Sequence, residues 1–241
     1  AALAGPGGVV PAEIHDLSRS LETMAAQLEA RASYVAEFAA NVTHELKSPI
    51  TAIRGAVELL REEEDEMSPA QRRRFLENIE DDAARMQRLV SRLLELARID
   101  QVAGQVEAVE IEPLVARVTA ELGERVRVRL DGAPAEVRVN PDHLESALVN
   151  LLDNALRHGG SAPVDLEVTA TGGRARFAVT NRGSPIPAAH RERIFDRFFT
   201  TERDRGGTGL GLAIVRAVAE ARGGRVELAS DAGGTTFALV L

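Results

Sequence analysis

Residues 38–60, FAANVTHELKSPITAIRGAVELL, place Phe38, Val42, Leu46, Ile50, Ile53, Val57 and Leu60 at intervals of three or four. That is the spacing of one apolar helical face, so the stretch predicts a helix with a single buried stripe. Pro49 falls in its middle. Proline lacks the N–H that would pair with the Glu45 carbonyl, and its ring clashes one turn back, at about 3 kcal/mol in a helix interior. The residue that shares this costly segment is His44, two positions past Val42 and therefore roughly 200° round the helix, away from the stripe. Glu45 adjoins it, and Ser48 lies one turn further along the same face. The sequence thus predicts an exposed imidazole beside a carboxylate, on backbone that a proline can bend.

Upstream, Ile14, Leu17, Leu21, Met24 and Leu28 keep the same spacing, so helix is expected from Ala12 onward, after a Gly/Pro/Ala-rich loop over 1–11. Downstream, the acidic run 62–66 reads as a solvated helix end. Ser68-Pro69-Ala70-Gln71 then reads as a helix start, with Ser at the N-cap, Pro at the first position and Gln at the third. The helix that follows carries its own stripe: Phe75, Ile79, Ala83, Met86, Val90, Leu93 and Ala97. Two amphipathic helices joined by a short turn predict an antiparallel hairpin. One hairpin cannot cover both stripes. A second copy would do so in a four-helix bundle; packing onto the chain's own C-terminal half is the alternative.

Past Asp100 the pattern changes. Residues 102–110 read as a linker. Strand-like alternation follows at 125–130, 164–170, 174–180, 225–229 and 235–241, with helical stretches near 113–122, 141–158 and 211–222. A helical hairpin followed by an α/β domain with several antiparallel strands is the expected fold class.

Composition narrows the function. The net charge of −8 argues against a nucleic-acid surface, and the absence of cysteine excludes disulfides and thiolate metal sites. No run approaches the ~20 apolar residues of a membrane span. The chain opens on AALAGPGGVV without Met, so a piece of a longer protein is expected, and any membrane attachment would lie upstream. Asn150 and Asn154 sit one turn apart inside the apolar run ALVNLLDNAL, where buried amides need partners. Gly207, Gly209 and Gly211 precede a helix whose N-terminus suits an anion, and the polar segment 200–207 suits a mobile lid.

The string HELKSP within FAANVTHELKSPITAIRG closely resembles the H-box of sensor histidine kinases. Residues 12–31 look like the second helix of a HAMP signalling module. Residues 141–158 are similar to the N-box, VTNRGSPIP (179–187) stands at the G1 box, RIFDRFF (193–199) resembles the F-box and GGTGLGLAIV (206–215) the G2 box. The order matches the family over nearly the whole chain. The resemblance implies a HAMP-like end at 1–32, a dimerisation and phosphotransfer hairpin at 33–101, and an ATP-binding domain of the Bergerat α/β-sandwich type at 102–241.

It further implies an ATP-dependent autokinase that phosphorylates His44 and passes the phosphoryl group to a response-regulator aspartate, and that also dephosphorylates this partner. Glu45 would fix the imidazole tautomer and Ser48 would orient water. Asn150 and Asn154 would offer amide oxygens to Mg²⁺, with Arg157 and His158 toward the phosphates of ATP. Asn181 and Gly183 would meet the base, and Arg197, Gly207, Thr208, Gly209, Leu210 and Gly211 would complete the nucleotide site. Arg203 and Arg205 are further phosphate candidates in the lid. The expected partners are a second copy and a receiver domain. Two residues depart from the family pattern: Asn181 stands where an aspartate reads adenine, and Pro185 replaces a flexible glycine. Ser48, where relatives often carry Thr or Asn, keeps a hydroxyl. These departures leave an alternative, a degenerate kinase that serves as scaffold or phosphatase of its regulator.

Overall fold

The computed structural model describes residues 12–62, 67–101, 106–171, 174–202 and 207–241. The chain divides into two compact units, up to Thr51 and from Ala52 onward. Helix α1 (Ala12–Glu62) begins in the first unit and ends in the second, and it continues as helix through Pro49. Within the first unit Pro49 is buried and Phe38, Val42 and Leu46 are half-buried, whereas Leu21, Met24, Leu28, Val35 and Ile50 are exposed. The loop expected over 1–11 and most of the acidic run lie outside the described residues.

The second long helix, α2 (Pro69–Gln101), starts where Ser68 predicts. Gln71 N–H donates to Ser68 Oγ at 3.3 Å, and Ser68 N–H donates back to Gln71 Oε1 at 3.0 Å, a reciprocal capping box. The stripe of α2 needs a correction. Phe75, Ile79, Met86 and Leu93 are half-buried as expected, but Ala83, Val90 and Ala97 are exposed; the deeply buried residues are Leu89, Leu96 and Ile99. The cause is that this end of α2 packs on the C-terminal domain, against helix α5 (Gly211–Ala221), which turns the 89/92/96/99 face inward. The alternative weighed from the sequence therefore holds for this part of the helix.

The remaining α-helices and strands are β1 (Glu107–Glu110), α3 (Ile111–Thr119), β2 (Val126–Arg129), β3 (Glu136–Val139), α4 (Pro141–His158), β4 (Val164–Thr171), β5 (Arg174–Asn181), β6 (Arg225–Asp231) and β7 (Gly234–Val240), with short 3-10 turns at Gly123–Arg125 and Ala188–His190. The segment read as linker corrects to a strand at its end: β1 pairs antiparallel with β3, itself unforeseen. The main sheet runs β2-β4-β5-β7-β6, antiparallel except for the parallel β2–β4 pair. Helices α4 and α5 pack on each other and against this sheet. Between them lies a core of Leu144, Leu148, Leu151, Leu166, Phe177, Ile214 and Leu239, each almost wholly shielded. Burying one such side chain stabilises by about 1.5–3 kcal/mol, so this packing fixes where α4 and α5 present their polar faces. No helix among the described residues is long and apolar enough to cross a membrane.

Candidate active site

His44 and Glu45 belong to the first unit. The imidazole is 72% exposed, while the Glu45 carboxylate is only 8% exposed, and Nδ1 lies 4.0 Å from Oε1. That is an electrostatic contact, longer than a hydrogen bond; such pairs tighten when substrate arrives. Ser48, one turn on, is exposed.

In the second unit a cavity of about 310 Å³ opens between the end of α4, the 184–187 loop, residues 199–202 and the start of α5. Helix α4 is set by Asn140, whose Oδ1 accepts from His143 N–H at 3.1 Å, and by Pro141 in its first turn. Leu144, Leu148, Leu151 and Ala155 then bury one face, and helical geometry turns Asn150, Asp153, Asn154, Arg157 and His158 to the cavity. Asn150 is buried, and its Nδ2 donates to the Ser146 carbonyl at 3.0 Å. Its Oδ1 faces Gly211, where an added Cβ would come within 2.9 Å of it. His158 Nδ1 lies 3.8 Å from Glu202 Oε1.

The start of α5 has no side-chain cap, so its first N–H groups favour a negative charge. The approach to it is fixed by an interlock of the F-box and G2 segments. Phe198 holds a φ of 66°, rare for a non-glycine residue, and its N–H donates to the Gly209 carbonyl at 2.9 Å. Gly209 also has a φ of 66°, and a Cβ there would sit 2.4 Å from the Phe198 carbonyl carbon. Only glycine fits.

Asn181, at the end of β5, is 3% exposed. Oriented to satisfy both neighbours, its Oδ1 accepts from Gly183 N–H at 3.1 Å and its Nδ2 donates to the Thr235 carbonyl at 3.3 Å. The following loop is pinned: Ile186 N–H donates to Ser230 Oγ at 2.8 Å, and Arg191 Nε donates to the Ile186 carbonyl at 3.1 Å. Pro185 is therefore held at the cavity wall.

Of the expected nucleotide residues, Asn150, Asn154, Arg157, His158, Asn181, Gly207, Thr208, Gly209 and Gly211 line this cavity. Arg197, Gly183 and Leu210 do not; Leu210 is fully buried, and Gly183 acts through Asn181. Arg203 and Arg205 lie outside the described residues. Sequence reading missed Arg92, Asp153, Ile186 and Thr235, which also line it. The spacing 150/153/154/157 carries a signal for Asp153, whereas Arg92 stands on α2, far along the chain.

Arg92 Nη1 donates to Thr208 Oγ1 at 3.0 Å, and its Nη2 lies 3.6 Å from Asp153 Oδ2. Burial pulls the Arg92 pKa below its usual value; Asp153 opposes this and Arg157 adds to it. One turn on, Glu95 accepts from the Ser146 hydroxyl, and burial pushes its carboxyl up despite Arg92.

A five-stranded sheet covered by two helices thus carries a polar cavity at an uncapped helix start. Residues 139–241 match the family model described as Histidine kinase-, DNA gyrase B-, and HSP90-like ATPase, and residues 34–102 match the His Kinase A (phospho-acceptor) domain. The chain belongs to the sensor histidine kinases. It is 40% identical over 228 residues to the sensor protein CreC of Escherichia coli K12, covering 90% of this chain and 47% of CreC. Among solved structures, full-length ShkA in complex with AMPPNP is 27% identical with a TM-score of 0.61, over 83% of this chain and 44% of that one. Histidine kinase ThkA in complex with the response regulator protein TrrA shares the fold, at 23% identity and a TM-score of 0.66, over 88% of this chain and 63% of that one. The chain spans about half the length of the curated relatives it matches.

Proposed function

We propose that this chain is an ATP-dependent protein-histidine autokinase. An unprotonated nitrogen of His44 attacks the γ-phosphorus of ATP, the bond from that phosphorus to the bridging oxygen of ADP breaks, and ADP leaves with the electron pair. The other ring nitrogen keeps its proton, which Glu45 is placed to accept in a hydrogen bond as the ring gains positive charge. The phosphoryl group then passes from nitrogen to a carboxylate oxygen of a response-regulator aspartate. The observation that carries this reading is an exposed His44 against a buried Glu45, in a segment that matches a phospho-acceptor domain, in the same chain as an ATPase pocket.

Asn181 meets the base, the α5 start and Gly207–Gly211 meet the phosphates, and Arg157 and His158 add positive charge. The donor set at Asn150 and Asn154 fits Mg²⁺. With Nδ2 of Asn150 bonded to Ser146, its oxygen is left for a hard cation; when bound, that cation neutralises charge on the phosphates. ShkA was solved with AMPPNP and ThkA with a response regulator, in keeping with these substrates. Ser48 orients water for dephosphorylation of the regulator. Exposed Leu21, Leu28, Val57, Val90 and Leu94 favour a homodimer whose second copy covers them. We further assign residues 1–32 to a HAMP-like end, 33–101 to the phosphotransfer hairpin and 102–241 to the nucleotide domain.

A degenerate kinase acting as a scaffold is the second reading, favoured by the amide at Asn181. Incubation with γ-labelled ATP and Mg²⁺ separates the two. Acid-labile, alkali-stable label on the chain supports the autokinase, and a chain that binds regulator but takes no label supports the scaffold.

A further inference from the structure

The cavity is lined mainly by the nucleotide domain, yet one of its cations comes from the long helix α2. Arg92 reaches in with both terminal nitrogens, one on Thr208 Oγ1 at 3.0 Å and the other 3.6 Å from Asp153 Oδ2. Arg157 leans on the same oxygen, at 3.9 Å. Two guanidinium groups therefore share one carboxylate, which is itself 55% exposed. Beside them, an added Cβ on Gly211 would lie 3.8 Å from Arg92 Nη1, so this cation sits at the uncapped start of α5. Thr208 belongs to the glycine-spaced approach to that start. Arg92, Arg157 and the N-terminal helix dipole converge on one end of the cavity, with Asp153 and Glu95 as the carboxylates acting on Arg92 and Glu202 also in the lining, so a phosphate brought to that end meets two guanidinium groups and a favourable dipole.

Resting on the nucleotide reading above, we propose that Arg92 is a binding residue for the terminal phosphates of ATP, supplied to the nucleotide domain by the phosphotransfer hairpin. Thr208 and Asp153 hold the guanidinium at the pocket wall, and a phosphate oxygen replaces the neutral hydroxyl as its partner. A bond between guanidinium and phosphate is charge-assisted on both sides and favours the planar fork that arginine presents. The bond from Ser146 on α4 to Glu95 secures α2 at the same end of the pocket. Nucleotide occupancy and docking of α2 are then coupled: a triphosphate adds a charge-assisted contact to those that Arg92 already makes with Thr208 and Asp153.

The test is calorimetric titration of the full chain and its Arg92→Ala and Arg92→Lys variants with AMPPNP and with adenosine, in Mg²⁺ buffer at two salt concentrations. Loss of one charged contact predicts AMPPNP binding weakened about tenfold or more in Arg92→Ala, with adenosine within about twofold of the parent. Arg92→Lys recovers part of the loss, and Arg92→Ala shows a smaller salt dependence. Unchanged or tighter AMPPNP binding in Arg92→Ala overturns the proposal, tighter binding identifying Arg92 as a plug of the empty pocket. Equal loss of AMPPNP and adenosine overturns it too, as a purely structural role. A parent chain that binds neither ligand defeats the nucleotide reading itself, a result distinct from all of these.

Discussion

Replacing Asn181 with aspartate exchanges one N–H donor for an acceptor at a site 3% exposed to solvent. In the native chain Nδ2 donates to the Thr235 carbonyl at 3.3 Å, while Oδ1 accepts from Gly183 N–H at 3.1 Å. The carboxylate sets two acceptor oxygens against each other across the first contact, at a cost of roughly 1–3 kcal/mol. The Gly183 bond becomes charge-assisted and offsets part of this. At about 3 °C per kcal/mol for a unit of this size, a net cost of about 1–2 kcal/mol lowers the melting temperature without nucleotide by roughly 3–6 °C. Nucleotide binding moves the other way, because the adenine amino group gains a charged acceptor. An advantage of about 1 kcal/mol corresponds to roughly fivefold tighter ADP. Calorimetric scans without nucleotide, and titration with ADP and Mg²⁺, read the two effects separately. An unchanged melting temperature refutes the amide arrangement, and unchanged or weaker ADP binding refutes the role of Asn181 at the base.

Glu95→Gln keeps an acceptor for Ser146 but cannot ionise. Burial raises the Glu95 pKa in the folded chain, so its contribution is most favourable below the unfolded value and is lost as pH rises through the folded one. The variant is therefore more stable than the parent at pH 7 in urea titrations, with the gap closing near pH 4; a gap that widens on acidification contradicts this. Gly209→Ala meets both a φ of 66° and a 2.4 Å approach to Phe198, and should cost about 2 kcal/mol or more and separate the F-box and G2 segments. A melting temperature within a degree of the parent's refutes that. Light scattering should find the chain dimeric, and a Val90→Glu, Leu94→Glu double variant, altering side chains 44% and 56% exposed, should be monomeric with its nucleotide affinity kept. A monomeric parent chain contradicts the bundle.

Much of this was legible because it is local. The 3–4 spacing of α1, the Ser68–Gln71 box and Pro141 after Asn140 each act within a turn or two, so the sequence places these helices closely. Strands β4 to β7 alternate long enough to be read. Strands β1 and β3 are not: EAVE and EVRV have four residues each and exist only through their pairing with each other. The face of α2 was misread for the same reason. Its own periodicity permits 90/93/97 as readily as 89/92/96, and the choice is made by α5, more than a hundred residues away. Arg92 in isolation is an ordinary surface arginine of a charged helix. Its meaning comes from Thr208, 116 positions along the chain.

In the proposed reaction His44 carries the phosphoryl group while a separate pocket holds ATP. The decisive measurement incubates the His44→Gln variant and the parent with γ-labelled ATP and Mg²⁺, and titrates both with AMPPNP. We expect acid-labile label on the parent, none on the variant, and AMPPNP affinities within a few fold of each other. Label that persists on the variant contradicts it.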